Sequence, residues 1–460
     1  MELVPFSVIN QYHKERLIHP SRYSGNDYSF LKIFQHGLSF ALTKQNQKLI
    51  KNYLVFPYPI QLVIYFLKSV IRRKAQPSWP LKEYVILDPG RVVMGQDKQW
   101  HSIYFDKIAK VIGAEKLSRI NMKANAGIPC DYEIDQFEGE LPMLDDNERF
   151  MLKEILQTLH AAKKSNQFSK DELKQVRSAM HIFYEDFRFY YNLFKGQPTK
   201  CLLFICHYHN EGLIAALKML KILCVEVQHG LIASNDLYYV YPEQFAGVMG
   251  RALFPDKILV YGPYWKRILE MGCEFRSFQI NVAGDYLYRL SDLSKQQHVK
   301  ENIVLICAQK NLHEDYVRYG KQLSEHIKKH PEWKAIIKLH PLERNKAAYE
   351  ELKSFGVEIV DVETPLDELL SKSKIQISIY STTFYDAFGF DVVNFSLQDF
   401  GTMSDYASDM ISEGVAVPLS ADEDPIEKFK AMKDADYTPL PREDVYADYN
   451  EGLIRDAIAY

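Results

Sequence analysis

Residues 201–230 read CLLFICHYHNEGLIAALKMLKILCVEVQHG. The apolar run 201–206 stops at a polar cluster, and residues 211–221 then place apolar side chains at helical spacing. A second, β-branched run, 222–228, stops at His229-Gly230. A strand, a helix and a strand following one another this closely predict a parallel βαβ unit.

The pattern extends in both directions. YVILDPG (84–90) reads as a strand upstream. Downstream come strand DKILVYG (256–262), helix 263–272 and strand FQINVAG (278–284). The polar stretch 289–301 breaks the alternation and marks a domain boundary. A second set follows: strand NIVLICAQ (302–309), helix 314–329, strand 334–340, helix 343–355, strand 357–361, helix 365–373, strand 375–380 and helix 382–390. Two such sets predict an α/β chain of two Rossmann-like, doubly wound domains facing a cleft. The first covers 1–290, with an irregular N-terminal extension and a charge-laced helical insertion within 144–196. The second covers 300–435, and a C-terminal helix in 436–460 is expected to pack back on the first domain.

Composition agrees. A chain of 460 residues outgrows a single core. Lys and Arg total 56 against 60 Asp and Glu, a net charge of −4 that argues against nucleic acid as a partner. The six cysteines sit mostly in apolar runs without CxxC spacing, as expected of reduced core residues in a cytoplasmic protein. Residues 54–71, LVFPYPIQLVIYFLKSVI, are strongly apolar and are followed by Arg72, Arg73 and Lys74. Two prolines and Lys68 argue against a spanning helix, and a buried helix is the simpler reading. Peripheral docking of 54–74 on the inner face of the plasma membrane is the alternative.

In open parallel sheets ligands lie beyond the carboxyl ends of the strands. There the chain places His207, His209, Asn210 and Glu211, then His229-Gly230, in the first set, and Gln309, Lys310 and Asn311 in the second. Lys338, His340 and Pro341 follow, then Tyr380, Ser381, Thr382 and Thr383. A Ser-Thr run opening a helix suits a phosphate, although the same residues also make plain N-caps. With Lys338 and His340 beside it, the run reads as a diphosphate cradle, with Asp386 one turn on for a ribose hydroxyl. Glu211 is the first candidate for a general base and His229 the second, with His209 beside them; Glu211 is equally at home as a first-turn acid. No GxxxxGK[ST], GxGxxG after a first strand, HExxH or Cys/His cluster occurs, so P-loop, dinucleotide and metal chemistry are not indicated.

The order NEG (210–212), KLHP (338–341) and YSTT (380–383) resembles the acidic, His-Pro and Ser/Ser-Thr motifs of bacterial sialyltransferases and polysialyltransferases. VQHG (227–230) together with the HP resembles capsule Kdo transferases and teichoic-acid glycerophosphate polymerases. The resemblance covers about residues 200–400 and implies a GT-B fold with the donor in the C-terminal domain. It implies Glu211 as base, with His340, Ser381 and Thr382 at the donor phosphate. One departure stands at Asn210, where that motif carries an acid. The implied activity is metal-independent, inverting transfer from a nucleotide-activated sugar to a bacterial surface glycan or lipid-linked glycan, with no cofactor beyond that co-substrate. A CMP-linked acidic sugar is one such donor. The alternatives are a CDP-polyol phosphotransferase of teichoic-acid type, a nucleotide-sugar epimerase, and a catalytically inactive glycan-binding scaffold.

Overall fold

A computed structural model describes residues 80–459, apart from 96, 124–126, 135–143, 153–154, 156–169, 235–238, 241–252, 273–274, 288–298, 311, 342, 344, 362, 400–406 and 433–439. The side chains of 94, 171–181, 209 and 409 also lie outside the description. The N-terminal extension, with the apolar stretch 54–74, therefore lies outside the described residues.

The first domain opens with β1 (Tyr84–Asp88) and a small antiparallel hairpin, β2 (Val92–Met94) and β3 (Trp100–Ser102). Next come α1 (Asp106–Ile112), β4 (Leu117–Asn121), β5 (Tyr132–Glu133), α2 (Lys170–Phe194), β6 (Cys201–Phe204) and α3 (Glu211–Met219). The domain continues with β7 (Leu223–Val227), β8 (Lys257–Val260), α4 (Pro263–Glu270) and β9 (Ile280–Val282). The second domain runs β10 (Ile303–Cys307), α5 (His313–Lys329), β11 (Lys334–Lys338), β12 (Val357–Val360), α6 (Leu366–Lys372) and β13 (Ile375–Ser378). Then follow α7 (Thr383–Asp386), β14 (Val393–Leu397), α8 (Ser408–Ser412), β15 (Val417–Leu419) and α9 (Pro425–Ala431). Two last helices, α10 (Arg442–Val445) and α11 (Glu451–Ile458), close the chain.

Each domain is built on one parallel sheet. The strand orders are β5-β4-β1-β6-β7-β8-β9 and β12-β11-β10-β13-β14-β15. Numbered from its own first strand, each sheet reads 3-2-1-4-5-6, the doubly wound Rossmann order, with a seventh strand added in the first. The order reverses between β1 and β6 and again between β10 and β13. In doubly wound sheets ligands bind at such reversal points, because the connections depart to opposite faces there. Both sheets are covered on both sides, which is why CLLF and IVLIC are apolar throughout and buried at every position.

Three differences from the sequence reading stand out. Lys170–Phe194, expected as part of an insertion, packs along α3 and shares a core cluster with β1 and β6. Its backbone comes so close that a side chain on Gly212 would begin 2.7 Å from the Phe187 nitrogen. Residues 346–355 wind as a 3-10 helix. The helix expected over 382–390 is a single α turn, because Gly389, at φ 88°, turns the chain away.

The two domains share one apolar seam. Phe384, Tyr385 and Phe388 of the second belong to the same cluster as Tyr264, Trp265, Val445 and Tyr446. The Tyr264 and Tyr385 hydroxyls meet at 3.1 Å. Residues 444–450 return to the first sheet by main-chain contact: Ala447 N donates to Tyr261 O at 3.0 Å and Asn450 N to Ala283 O at 3.1 Å. α11 then packs on α1 and on β7, β8 and β9.

This return demands a glycine. Gly284 has φ 82°, and a Cβ there would lie 2.1 Å from the Asp448 carbonyl oxygen. Gly356 has φ 80° with open space around it. Gly356→Ala should therefore cost only the left-handed backbone penalty, about 1–2 kcal/mol. Gly284→Ala adds a main-chain clash, and differential scanning fluorimetry should show a clearly larger fall in melting temperature.

Candidate functional site

The site forms where the two order reversals meet. In the first domain the decisive local structure is the turn after β7. Gln228 is fully buried, and its side chain bridges two neighbours: Nε2 donates to Gly230 O at 2.9 Å, and Oε1 accepts from Tyr261 N at 3.1 Å. Its carbonyl accepts from the Tyr261 hydroxyl (2.7 Å) and the Tyr286 hydroxyl (2.9 Å). An amide is needed because it must donate and accept at once. The turn thus delivers His229, half-buried, beyond the end of the strand.

Cys206 and Tyr208 approach the imidazole. Its Nε2 lies 3.2 Å from Cys206 Sγ and 3.4 Å from the Tyr208 hydroxyl. Burial pushes the Cys206 thiol up to about 12, so it meets His229 as a neutral thiol. The His229 carbonyl accepts from the Tyr104 hydroxyl at 3.0 Å, and Tyr104 in turn accepts from Arg91 Nη1 at 3.0 Å. Arg91 follows β1 directly. Its aim is set by buried Asp88, whose Oδ1 accepts from Gly90 N at 2.9 Å and so closes the turn.

The loop after β6 is bound just as tightly. Cys206 adopts φ 59°, a left-handed conformation uncommon for a residue other than glycine. Asn210 stabilises the turn by donating from Nδ2 to the Ile205 and Cys206 carbonyls, both at 3.0 Å. This accounts for the departure noted at that position: a carboxylate has no N–H to give and would face two oxygens. Glu211 opens α3 and is 7% exposed, so it lies largely inside the fold. Near it, across Gly212, burial followed by Glu185 pushes the Asp186 carboxyl up to about 6. His207 is fully buried and reaches Glu226 Oε2 at 2.6 Å; Glu226 also accepts from the Tyr239 hydroxyl at 2.6 Å. Burial alone would raise the Glu226 carboxyl, but His207 and Tyr239 outweigh it and hold the group below its ordinary range. This pair is a buried support under the site. His209 lies on the same 3-10 turn, with its side chain outside the described ones.

The second domain supplies the facing wall. His340 is half-buried after β11, and the neighbouring Pro341 is exposed in the turn that follows. Burial, then the Arg91 charge, then Lys310 lower the proton affinity of His340. An arginine of one domain and a lysine of the other therefore act on one imidazole. Lys310 is exposed. Ser381 Oγ accepts from Thr383 N at 3.2 Å, while the Thr383 hydroxyl takes Gln376 Nε2 at 2.6 Å and points inward. Thr382 borders the first domain: a Cβ on Gly230 would stand 4.0 Å from its methyl.

Three predicted site residues are bound by the protein itself. Lys338 gives two of its three N–H donors to the Asp361 carbonyl (3.0 Å) and the Thr364 carbonyl (2.6 Å). Gln309 Oε1 accepts from the Tyr316 hydroxyl at 2.9 Å and Tyr380 N at 3.2 Å. Asp386 accepts from the Tyr446 hydroxyl at 3.0 Å, across the domain seam. Sequence reasoning missed Arg91, Tyr104, Cys206 and Tyr208. Arg91 was within reach of the strand-end rule, because LDPGR leaves a strand just as QHG does. Among the described residues no group of three or more His, Cys, Asp or Glu is placed to hold a metal ion, and no helix is long and apolar enough to cross a membrane.

No family model matches the sequence, and no curated protein matches it. Solved structures of similar trace include UDP-GlcNAc 2-epimerase from Neisseria meningitidis bound to UDP-GlcNAc, at 15% identity and TM-score 0.46 over 82% of this chain and 97% of that one. UDP-GlcNAc 2-epimerase from Methanocaldococcus jannaschii aligns at 13% identity and TM-score 0.47, over 81% and 98%. A glycosyltransferase from Rickettsia africae aligns at 12% identity and TM-score 0.39, over 83% and 95%.

Asn210→Asp tests how this site is built. It replaces two donated hydrogen bonds with oxygen facing oxygen and should cost about 1–3 kcal/mol. Thermal unfolding monitored by circular dichroism should show the loss, whereas Asn210→Gln should lose less.

Proposed function

We propose that the protein transfers a sugar from a nucleotide-activated donor to a glycan, with the donor phosphates held between the domains. One observation carries this reading: Arg91 and His340, from different domains, share an electrostatic site at the same seam where Gly230 meets Thr382. Arg91, Lys310, the His340 N–H and the Ser381 and Thr382 hydroxyls supply donors and positive charge for a phosphate leaving group. The proton-handling group on the acceptor side is His229, beside that seam. Glu211 is the second choice because it lies deeper, along α3.

In the step proposed, the acceptor hydroxyl oxygen bonds to the anomeric carbon as the bond to the phosphate oxygen breaks. The hydroxyl proton passes to the His229 imidazole, and the developing charge on the departing phosphate is met by Arg91 and His340. No metal takes part in this scheme, so turnover should survive EDTA. The acceptor is a bacterial surface glycan, and the donor a nucleotide sugar of the CMP, UDP or GDP type.

A thermal-shift screen of CMP, CDP, UDP, GDP and ADP tests the reading. One nucleotide at about 100 times its Kd should stabilise the wild type by about 2.7 kcal/mol. Arg91→Ala and His340→Ala should each weaken binding about 10- to 100-fold, as expected for lost charge-assisted hydrogen bonds. No shift with any nucleotide sinks the proposal. His229→Ala should bind the nucleotide normally and lose turnover, measured as released nucleotide; full turnover would return the base to Glu211.

The same site predicts a pH effect. Burial, Arg91 and Lys310 hold His340 below its ordinary 6.5, and a bound phosphate opposes that by favouring the imidazolium. Nucleotide binding should therefore take up a proton, and affinity should rise as the pH falls from 7 toward 6. Calorimetry in two buffers of different ionisation heat measures this uptake, and His340→Gln should abolish it.

A further inference from the structure

β7 carries one charged residue. Between the buried, apolar Val225 and Val227 stands Glu226, which is equally buried. Taking a carboxylate out of water is costly unless donors meet its oxygens, and a third valine would fill the position at no such cost. Three donors meet it: His207 N at 3.2 Å, His207 Nδ1 at 2.6 Å and the Tyr239 hydroxyl at 2.6 Å. One comes from the connection that follows β7 and two from the turn that follows β6.

Both rings pinned by this carboxylate pack on a third. His207 meets Tyr208 edge-on, with centroids 5.7 Å apart and planes at 79°. Tyr239 meets Tyr208 in the same way, at 5.7 Å and 83°, and crosses His207 at 4.8 Å. Tyr208 is braced by the two, and its hydroxyl ends 3.4 Å from His229 Nε2. Cys206, on the other side of His207 in sequence, brings its sulfur to 3.2 Å from the same nitrogen. The carboxylate thus fixes His207, and the residues on either side of His207 are the two that approach the imidazole.

Charge points the same way. Among the described residues, the titratable groups around His229 are Cys206, Tyr208 and Tyr104, with Glu226 beneath and Arg91 beyond Tyr104. Against burial, which raises it, His207, Tyr239 and then His229 hold the Glu226 carboxyl below its ordinary range. That coupling is mutual, so the carboxylate favours the imidazolium of His229.

We propose that Glu226 is a positioning residue for His229: it pins the His207 and Tyr239 rings, they brace Tyr208, and Tyr208 with Cys206 sets the imidazole in the orientation that takes the acceptor proton. The proton transfer rests on the transferase reading above; the positioning does not.

The test labels the full chain at histidine Cε1 and follows it by NMR as the pH is varied, with the His229 signal assigned by its absence from His229→Ala. Glu226→Gln keeps the shape of the side chain and removes its charge. Its His229 midpoint should lie about half a pH unit or more below that of the wild type, because the imidazolium loses a neighbouring carboxylate. Turnover, read as released nucleotide, should fall about 10- to 100-fold in kcat while the nucleotide thermal shift is kept. Tyr208→Phe should lower kcat in the same range, and the double variant should lose little more than the larger single loss, because both changes act on one imidazole. If Glu226→Gln fails to fold, Tyr239→Phe removes one donor from the carboxylate, leaves every ring in place and should show the kcat loss in smaller measure. An unmoved His229 midpoint in Glu226→Gln, full kcat in Tyr208→Phe, or single losses that multiply in the double variant overturns the proposal. A moved midpoint together with full turnover in His229→Ala leaves the positioning in place and removes His229 as the base.

Discussion

The buried side chain of Gln228 organises the site more than any other single residue. It must leave the strand without leaving a polar atom unsatisfied, and an unpaired buried amide costs about 1–3 kcal/mol. By turning back on Gly230 and accepting from Tyr261, it makes the chain reverse sharply and puts His229 outside the sheet. Everything in contact with His229 inherits that position. Cys206 and Tyr208 reach its ring from the next strand end, Tyr104 reaches its carbonyl, and Arg91 reaches Tyr104.

The second constraint is the seam. Thr382 and α7 carry the proposed donor loop, yet Phe384 and Tyr385 are part of the core that includes Tyr264 and Trp265 of the other domain. That loop is therefore fastened to the first domain through this core, and the returning segment 444–450 fastens it further through Tyr446 and Asp386. The seam lies beside Gly230, where Thr382 approaches, and the Arg91 charge acts on His340 of the other domain. Asp386 holds the seam through one carboxylate oxygen, which accepts from the Tyr446 hydroxyl.

Much of this was legible from residue order. The alternation of apolar runs and helical spacing marks the central strands of both sheets, because strands buried on both faces are apolar throughout, but it did not reach β14 and β15 of the second sheet. Strand ends came out one to three residues long in that reading, since residues such as Ile205 and Leu339 remain apolar and buried after the ladder ends. β4 and β5 were not seen: LSRIN mixes polar and apolar positions and YE is two residues long. The crossover helix Lys170–Phe194 looked like an insertion because its charges dominate its composition, whereas its buried aromatic face becomes visible only against α3.

The sequence by itself determined the fold class and the rule that polar groups gather at the carboxyl ends of strands, because both depend on local periodicity and on the direction of the chain. It could not say which of those groups face the cleft. Lys338 and Gln309 carry the right chemistry for a donor site, yet each bonds to neighbours distant in sequence, at Asp361 and Thr364 and at Tyr380. Arg91 shows the converse. LDPGR marks a strand end, yet it does not say where the arginine points; the buried Asp88 turn decides that. Partner choice of that kind is a property of packing, and only the tertiary structure decides it.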